Sequence, residues 1–560
     1  MTEEGHAADP LGRYHARTRK RGVNKLVYWT VRAVLEPALR IWFRVSSRGH
    51  KNIPDGPVIV AANHRSFLDP FVIGICLRRP IYFVAKRELF HNRLQGWLLN
   101  CLGAFPVRRG ESDDESVRTS LELLERGEAV VIFPEGTRIR SGSLARPKRG
   151  VGRMVLASGA AVVPVALTGT ERARSGGLRI KPVKVCLRFG RALTFPRVGD
   201  PAPKLAREVT ERIWPCVQLQ WEWLGGLPPL RTAAVVGTGS MGTTLAVLLA
   251  RAGLDVQLGC RSLAQARRVA EAREEERYLP GIGLGPAIRV CTVADIEFAA
   301  VDLVVLAVPA SALPAAVGQI GASVADRSAV LVVSKGLVPP LGTTPSAWVS
   351  ERVRARAVAW LGGPAHAREA VTDGASVVLA TLDPDLRRQL ADVLDAAGLL
   401  IDPTDDLQGA ELAACAKNAA ALASAAAVSR GANLAGTAAG RVFSEVHRLA
   451  LASGGRSETF AGLAGAGDLL ATALAEGSRN RRAGELLGAG VPRSQVEAML
   501  DQTAESLATV PLLDLAFERE GIDAPVTAGL RDVLDGRATP DDWLDQVRSG
   551  SRARAGERAA

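Results

Sequence analysis

An imidazole stands five residues ahead of a carboxylate in Asn63-His64-Arg65-Ser66-Phe67-Leu68-Asp69, directly after the apolar run 57–63. On one continuous helix five residues turn through about 500°, and the two side chains would point apart. With Ser66 as N-cap and Asp69 in the first turn, His64 stays at the strand end and can meet the carboxylate. Asp69 would then fix the imidazole tautomer, making His64 a general base for a hydroxyl. A purely capping Asp69 fits the same spacing. Pro134-Glu135-Gly136-Thr137-Arg138 follows the strand-like AVVIF, and Gly103–Arg109 ends another strand. A glycine turn flanked by arginine suits a phosphate, with amides and a guanidinium fork converging on it.

The rear half holds a second set. Ala233–Val236 runs into Gly237-Thr238-Gly239-Ser240-Met241-Gly242 and an apolar helix. Between a strand and a helix this glycine pattern is a dinucleotide site, because it lets a pyrophosphate approach the helix N-terminus. The next strand ends at Cys260-Arg261-Ser262 without the acid that would hold a ribose 2′-hydroxyl. Arg261 can instead meet a 2′-phosphate, so NADPH is expected to serve at least as well as NADH. Farther on stand Ser334-Lys335-Gly336, Gly362–Glu369, Glu411–Asn418, Leu463–Leu469 and Ser478-Arg479-Asn480. Lys417 lies in an Ala-rich helical stretch, where a lone lysine would by itself snorkel to solvent.

The elements that must position these residues are α/β. Apolar runs alternate with helical patterns from Pro57 to about Arg197, and a second such series begins at Ala233. From about Asp405 onward strands give way to Ala-rich helix with glycine breaks. The expected architecture is α/β multidomain: an α/β domain, then a Rossmann domain, then an all-α C-terminal domain. Its expected divisions are a basic amphipathic segment 1–50, a first domain 51–220, a linker 221–230, a dinucleotide domain 231–403, a helical domain 404–545 and a disordered tail 546–560. The linker reading rests on the Trp- and Pro-rich WEWLGGLPPLR.

Residues 1–230 carry 38 Lys and Arg against 20 Asp and Glu, whereas 231–560 carry 32 against 38. The basic excess therefore belongs to the front half and suits an anionic membrane or a phosphate-bearing substrate. A nucleic-acid surface is the competing reading, and neither zinc-finger spacing nor an RNA-binding aromatic signature supports it. Seven scattered cysteines without a Cys-x-x-Cys pair suit reduced thiols in a cytoplasmic chain, with neither disulfides nor a metal site. The stretch Leu26–Val45 is long enough to span a bilayer, but Arg32, Glu36, Pro37, Arg40 and Arg44 interrupt it. Each central charge would cost about 2.5–3.5 kcal/mol. The segment reads as a helix in the headgroup plane or as one packed on its own domain.

Over about residues 50–200 the motifs, in their order and spacing, resemble the glycerolipid acyltransferases, the family that includes 1-acylglycerol-3-phosphate acyltransferases. They are Asn-His-x4-Asp, Gly-x5-Arg (103–109), Phe-Pro-Glu-Gly-Thr-Arg (133–138) and the strand around Pro164. The resemblance implies that His64 activates the acceptor hydroxyl with Asp69 as its partner. It implies further that Arg109, Glu135, Gly136, Thr137 and Arg138 hold the acceptor phosphate, with charge added by Lys148 and Arg149. The acyl donor would be a coenzyme A or acyl-carrier-protein thioester. The acceptor stays open between glycerol 3-phosphate and its 1-acyl derivative.

Residues 231–540 look like NAD(P)-dependent glycerol-3-phosphate dehydrogenase. The glycine loop, the Lys-Gly turn, Gly-Pro-x-His-Ala, Glu-x5-Lys-Asn, Leu-Ala-Gly-x-Gly-Asp-Leu, Ser-Arg-Asn and Gln502–Glu505 carry that resemblance. It implies Lys417 as the acid/base at C2 of dihydroxyacetone phosphate or glycerol 3-phosphate. Gly237, Gly239, Ser240, Met241, Gly242, Arg261, Lys335, Ala367, Arg479 and Glu505 would bind NAD or NADP. Lys335, Gly363, Ala365, Asp468, Ser478, Arg479 and Asn480 would surround the substrate. Met241, Cys260, Ala310 and Ala365 depart from the family's usual residues. The expectation is a bifunctional phospholipid-precursor enzyme, cytoplasmic and peripheral at the inner membrane face, with a homodimer left open. The alternative is a dehydrogenase tethered by a catalytically silent acyltransferase-like domain.

Overall fold

The computed structural model describes residues 11–107, 114–139, 143–173, 180–475, 478–500 and 504–549. By internal contacts the chain divides into two units, Met1–Pro229 and Leu230–Ala560.

The front unit is built on seven strands: β1 (Ser46–Arg48), β2 (Val58–Ala62), β3 (Ile81–Lys86), β4 (Ala104–Val107), β5 (Ala129–Ile132), β6 (Ala161–Thr168) and β7 (Cys186–Phe189). Their order is β1-β7-β6-β2-β5-β3-β4, parallel throughout except for the β6–β7 pair. Strand β2 is the run Val-Ile-Val-Ala-Ala, wholly buried, as a central parallel strand covered on both faces must be. Its alternate residues serve separate cores: Val58, Val60 and Ala62 pack into one, Ile59 and Ala61 into the other. The short β1, Ser-Ser-Arg, has no apolar pattern and gave no sign of itself in the sequence.

The linker expectation needs correction. The helix Pro203–Trp223 runs into it, and Trp221 is buried, with the Arg65 guanidinium 4.2 Å over its ring. The tryptophan belongs to the front core, so the connection is shorter than its composition suggests.

The rear unit carries eight strands: β8 (Thr232–Val236), β9 (Asp255–Cys260), β10 (Ile288–Thr292), β11 (Leu303–Leu306), β12 (Ala329–Val332), β13 (Ala357–Gly362), β14 (Ser376–Ala380) and β15 (Leu400–Thr404). The order β10-β9-β8-β11-β12-β13-β14-β15 reverses direction between β8 and β11, and only β13–β14 is antiparallel. That reversal leaves a crevice beyond the carboxyl ends of the strands. Strand β15 reads Leu-Ile-Asp-Pro-Thr, and its proline is tolerated because it lies at the sheet edge.

Beyond the sheet, the helix Leu407–Ala427 is the axis of a helical bundle and packs on Ala432–Ala452 and Arg479–Gly488. Its alanines allow close approach. A Cβ on Gly484 or Gly488 would stand 2.4 or 2.2 Å from a carbonyl oxygen of this helix. The stretch Leu407–Arg430 is long and apolar enough to cross a membrane, but 83% of its apolar window is buried. It is a core helix.

Two candidate active sites

In the front unit His64 follows β2, Glu135–Arg138 follow β5 and Thr170 follows β6. These neighbouring parallel strands bring three loops to one carboxyl edge. His64 Nδ1 lies 2.8 Å from Asp69 Oδ2, and Asp69 is fully buried. The same oxygen accepts from the Arg65 and Ser66 amides at 2.6 and 2.7 Å, and Thr170 Oγ1 donates to Oδ1 at 2.6 Å. The geometry thus replaces the expected Ser66 cap. Asp69 begins the helix Asp69–Cys76, whose flanking residue makes no side-chain cap, and reaches back to gather the loop amides. With Asp69 accepting at Nδ1, the Nε2 lone pair of His64 is left to take a proton. Phe133 stacks on the imidazole at 4.1 Å and holds its plane.

Glu135 corrects the sequence expectation. Its carboxylate accepts from the His64 amide at 2.6 Å and the Ala145 amide at 3.1 Å, and the residue is buried. A carboxyl with both oxygens taken by backbone amides has little to offer a phosphate; it ties the His64 loop to the loop after β5. Burial pushes its carboxyl up to about 7, against hydrogen bonds from His64 and Ala145. Gly136 has φ +69°, and the Lys148 side chain lies 3.1 Å from where a Cβ would stand. Thr137 is exposed and Arg138 half-buried beside that turn. Arg149 is exposed just before the helix Gly150–Ser158. Arg109 lies outside the described residues. The sequence reading assigned no part to Thr170, Phe133 or Arg65. Arg65 is almost fully buried and donates to the Ile139 carbonyl at 2.8 Å, closing the loop that carries Arg138.

In the rear unit the three loop glycines have separate duties. Gly237 adopts φ +110°, open only to glycine at low cost, at the end of β8. Gly239 has open space where a Cβ would be, directly before the helix Ser240–Arg251, so a ligand can reach the backbone there. A Cβ on Gly242 would stand 2.0 Å from the Gly237 carbonyl oxygen, so glycine is what lets helix and strand pack. Met241 is half-buried against the core, and Arg261 is exposed just past β9. The Ala367 carbonyl accepts from Thr244 Oγ1 at 3.0 Å.

Lys417 is buried, as its snorkelling alternative would not allow. Its Nζ lies 3.5 Å from Asp468 Oδ1 and 3.2 Å from Thr472 Oγ1. Lys335 Nζ donates to Asp468 Oδ2 at 2.7 Å and to the Gly363 carbonyl at 2.9 Å. One carboxylate therefore holds two ammonium groups. Burial, then the Lys335 charge, lowers the Lys417 ammonium to about 8, against the pull of Asp468 and Glu505. Asn418 donates to the Lys335 carbonyl at 2.6 Å, while Asn480 donates to Asn418 Oδ1 at 2.8 Å and accepts from Ser506 Oγ. Glu505 accepts a long bond from Asn418. Ser478 caps the helix Arg479–Gly488, Arg479 is exposed at its start, and Ala365 donates its amide to Gly363. The lysines connect to the glycine loop through Ser334, whose hydroxyl donates to the Val308 carbonyl; Ala307 and Val308 lie against Gly237.

A phosphate-admitting glycine loop at the sheet's reversal point, joined to a buried lysine of lowered pKa, defines a dinucleotide-dependent oxidoreductase. An acyltransferase family model matches residues 44–168. The N- and C-terminal models of NAD-dependent glycerol-3-phosphate dehydrogenase match residues 232–386 and 406–545. A glycerol-3-phosphate dehydrogenase [NAD(P)+] of Chlorobium limicola is 33% identical over 319 residues, covering 56% of this chain and 96% of the relative. Its Methylobacterium radiotolerans counterpart is 35% identical over 316 residues, 55% of this chain and 94% of the relative. The crystal structure of glycerol-3-phosphate dehydrogenase from Coxiella burnetii superposes with TM-score 0.54 at 25% identity, covering 57% of this chain and 99% of that one.

The chain belongs to the NAD(P)-dependent glycerol-3-phosphate dehydrogenase family and carries an acyltransferase domain ahead of it. It is an oxidoreductase plus acyltransferase, and NAD(P) is the cofactor of the rear unit.

Proposed function

We propose that the rear unit reduces dihydroxyacetone phosphate to sn-glycerol 3-phosphate, and that the front unit acylates that product or its 1-acyl derivative. The bound dinucleotide supplies the hydride. Lys417, protonated below about pH 8, donates the proton to the C2 oxygen and recovers it in the reverse direction. Asp468 keeps both lysines aimed at one point, and Lys335 presents a fixed cation to a phosphorylated substrate. Asn480 joins the same cluster through Asn418, and with Arg479 beside it in the chain it fits the substrate phosphate. Exposed Arg261 supports use of NADPH at least as readily as NADH.

In the front unit His64 Nε2 takes the proton of a glycerol hydroxyl as its oxygen attacks an acyl thioester, and the thiol departs. Gly136, Thr137, Arg138 and Lys148 are the groups that suit the acceptor phosphate; Glu135 acts from behind, on the backbone of His64. The observation that carries this reading is the buried His64–Asp69 pair at 2.8 Å, a geometry that a passive tether has no need to preserve. The basic front half supports work at the inner face of a membrane, where the acylated product resides. Glycerol 3-phosphate and its 1-acyl derivative, supplied separately with a labelled acyl thioester, test it. One of the two is expected to gain label, and labelling of neither would defeat the acyltransferase half.

A further inference from the structure

The helix Leu263–Ala272 ends on Arg273, held at φ 51°, and the chain turns back toward it. That turn lays Glu275 against Gln265 and Arg268, which share one face of the helix. Glu275 is 1% exposed, and the amides of Tyr278 and Leu279 fix its backbone by donating to its carbonyl at 3.2 and 2.9 Å. The carboxylate is thinly paired for so deep a place. Its Oε2 accepts one long bond, 3.4 Å, from Gln265 Nε2. Its Oε1 makes no hydrogen bond among the described residues, and the exposed Arg268 stands 3.8 Å away. A buried anion with so little compensation costs stability, and its position says what that cost serves.

The position is the adenosine end of the dinucleotide site. The same Gln265 Nε2 donates to Thr238 Oγ1 at 2.7 Å, and Thr238 stands between Gly237 and Gly239 of the glycine loop. The thiol of Cys260, the last residue of β9, is pushed up to about 11 by burial first and by the Glu275 charge next. Glu275 therefore lies within electrostatic reach of the point where a dinucleotide fold meets the ribose of its adenosine. The sequence offers no acid at the end of β9 for that ribose; the fold brings one from behind, on a later segment.

We infer that Glu275 is a specificity-determining residue for the cofactor: its charge opposes a 2′-phosphate on the ribose, and through Gln265 it steadies Thr238 in the glycine loop. Arg261, exposed just past β9, pulls the other way. The pyrophosphate is common to NADH and NADPH, so its repulsion cancels between them and only the 2′ group separates the two. The inference extends the part given to Arg261 and needs nothing from the acyltransferase reading.

The test is equilibrium binding of NADH, NADPH, adenosine 5′-monophosphate and adenosine 2′,5′-bisphosphate to the full chain, followed by calorimetry. Glu275→Gln keeps the volume and an acceptor for Gln265 while removing the charge. It should tighten NADPH and the bisphosphate about three- to tenfold and move NADH and the monophosphate by less than about twofold. The neutral but shorter Glu275→Asn should shift the same ratio, which preserves the test if thermal melts show that one of the two does not fold. Glu275→Asp keeps the charge and should keep the wild-type ratio. If ligands with and without the 2′-phosphate change together or not at all in the neutral variants, Glu275 is a structural brace and the inference is overturned. An equal shift in Glu275→Asp overturns it as well. If Glu275→Gln behaves as expected while Arg261→Ala leaves NADPH binding unchanged, Glu275 keeps its part and Arg261 alone loses the one given to it.

Discussion

Asp468→Asn removes one negative charge and almost no volume from between two ammonium groups. Asp468 Oδ1 lies 3.5 Å from Lys417 Nζ. Unit charges at that separation attract by about 1 kcal/mol in water and by about 5 kcal/mol at an effective dielectric of 20. The site is buried, so the larger figure sets the ceiling. At 1.36 kcal/mol per pKa unit, the loss lowers the Lys417 ammonium by about one to three units. Starting from about 8, the lysine would then be largely neutral at physiological pH. Reduction of dihydroxyacetone phosphate needs the protonated form, so its rate falls as pH rises through the lysine pKa. The assay is the pH profile of kcat, followed by oxidation of the reduced nicotinamide. The wild type should lose rate above about pH 8, and Asp468→Asn should lose it at clearly lower pH. In the direction of glycerol 3-phosphate oxidation the neutral lysine is the base, and the rising limb should move down as well. A variant whose limb stays at about 8 would refute the claim that Asp468 holds Lys417 in its acid form.

Other outcomes follow from the same geometry. Glu135 is raised from 4.5 to about 7 by burial, so it contributes stability that is present below its unfolded value and lost as pH rises through about 7. Glu135→Gln should flatten that dependence in denaturant melts followed by tryptophan fluorescence, and should slow acyl transfer because its amide NH2 can only donate, so the bond from the His64 or the Ala145 amide is lost. An unchanged pH dependence of the melts would show that the carboxyl does not titrate there. Thr170→Val deletes the 2.6 Å bond to Asp69 and should lower kcat of acyl transfer by about three- to tenfold with KM unchanged, Thr170→Ser keeping most of it. Equal rates for all three would remove Thr170 from the site. Comparison of kcat/KM should show NADPH used at least as well as NADH, with Arg261→Ala weakening NADPH alone; a large preference for NADH in the wild type would overturn the part given to Arg261.

The elements legible in the sequence are those whose own residues decide their state. Strand β2 is a continuous β-branched and alanine run, and the turn at Gly237 demands a positive φ. The Lys417 helix announces itself by length and alanine content, though only packing shows that the lysine is buried and paired. Edge strands β1 and β15 escaped because their pairing rests on neighbours and not on an apolar pattern. Side-chain direction was equally hidden. Glu135 sits in a motif suited to phosphate, yet two backbone amides from separate loops claim it. Arg32, Glu36 and Arg40 read as charges interrupting an apolar helix, because nothing local says that the carbonyls of Gly74, Ile75 and Leu77 await the two arginines, with Glu36 paired to both. Thr170 follows a strand whose motif ends before it, and its partner lies 101 residues away.

Two chemistries in one chain can be separated by two substitutions. The purified full chain is given dihydroxyacetone phosphate, reduced nicotinamide cofactor and a labelled acyl thioester, with the preferred acceptor supplied directly in a parallel reaction. Lys417→Ala should abolish cofactor oxidation and leave acylation of the supplied acceptor intact, while His64→Ala should do the reverse. Thioester consumption that persists undiminished in His64→Ala, or cofactor oxidation that survives Lys417→Ala at the wild-type rate, would contradict the assignment of these two residues as the proton-transfer groups of one bifunctional enzyme.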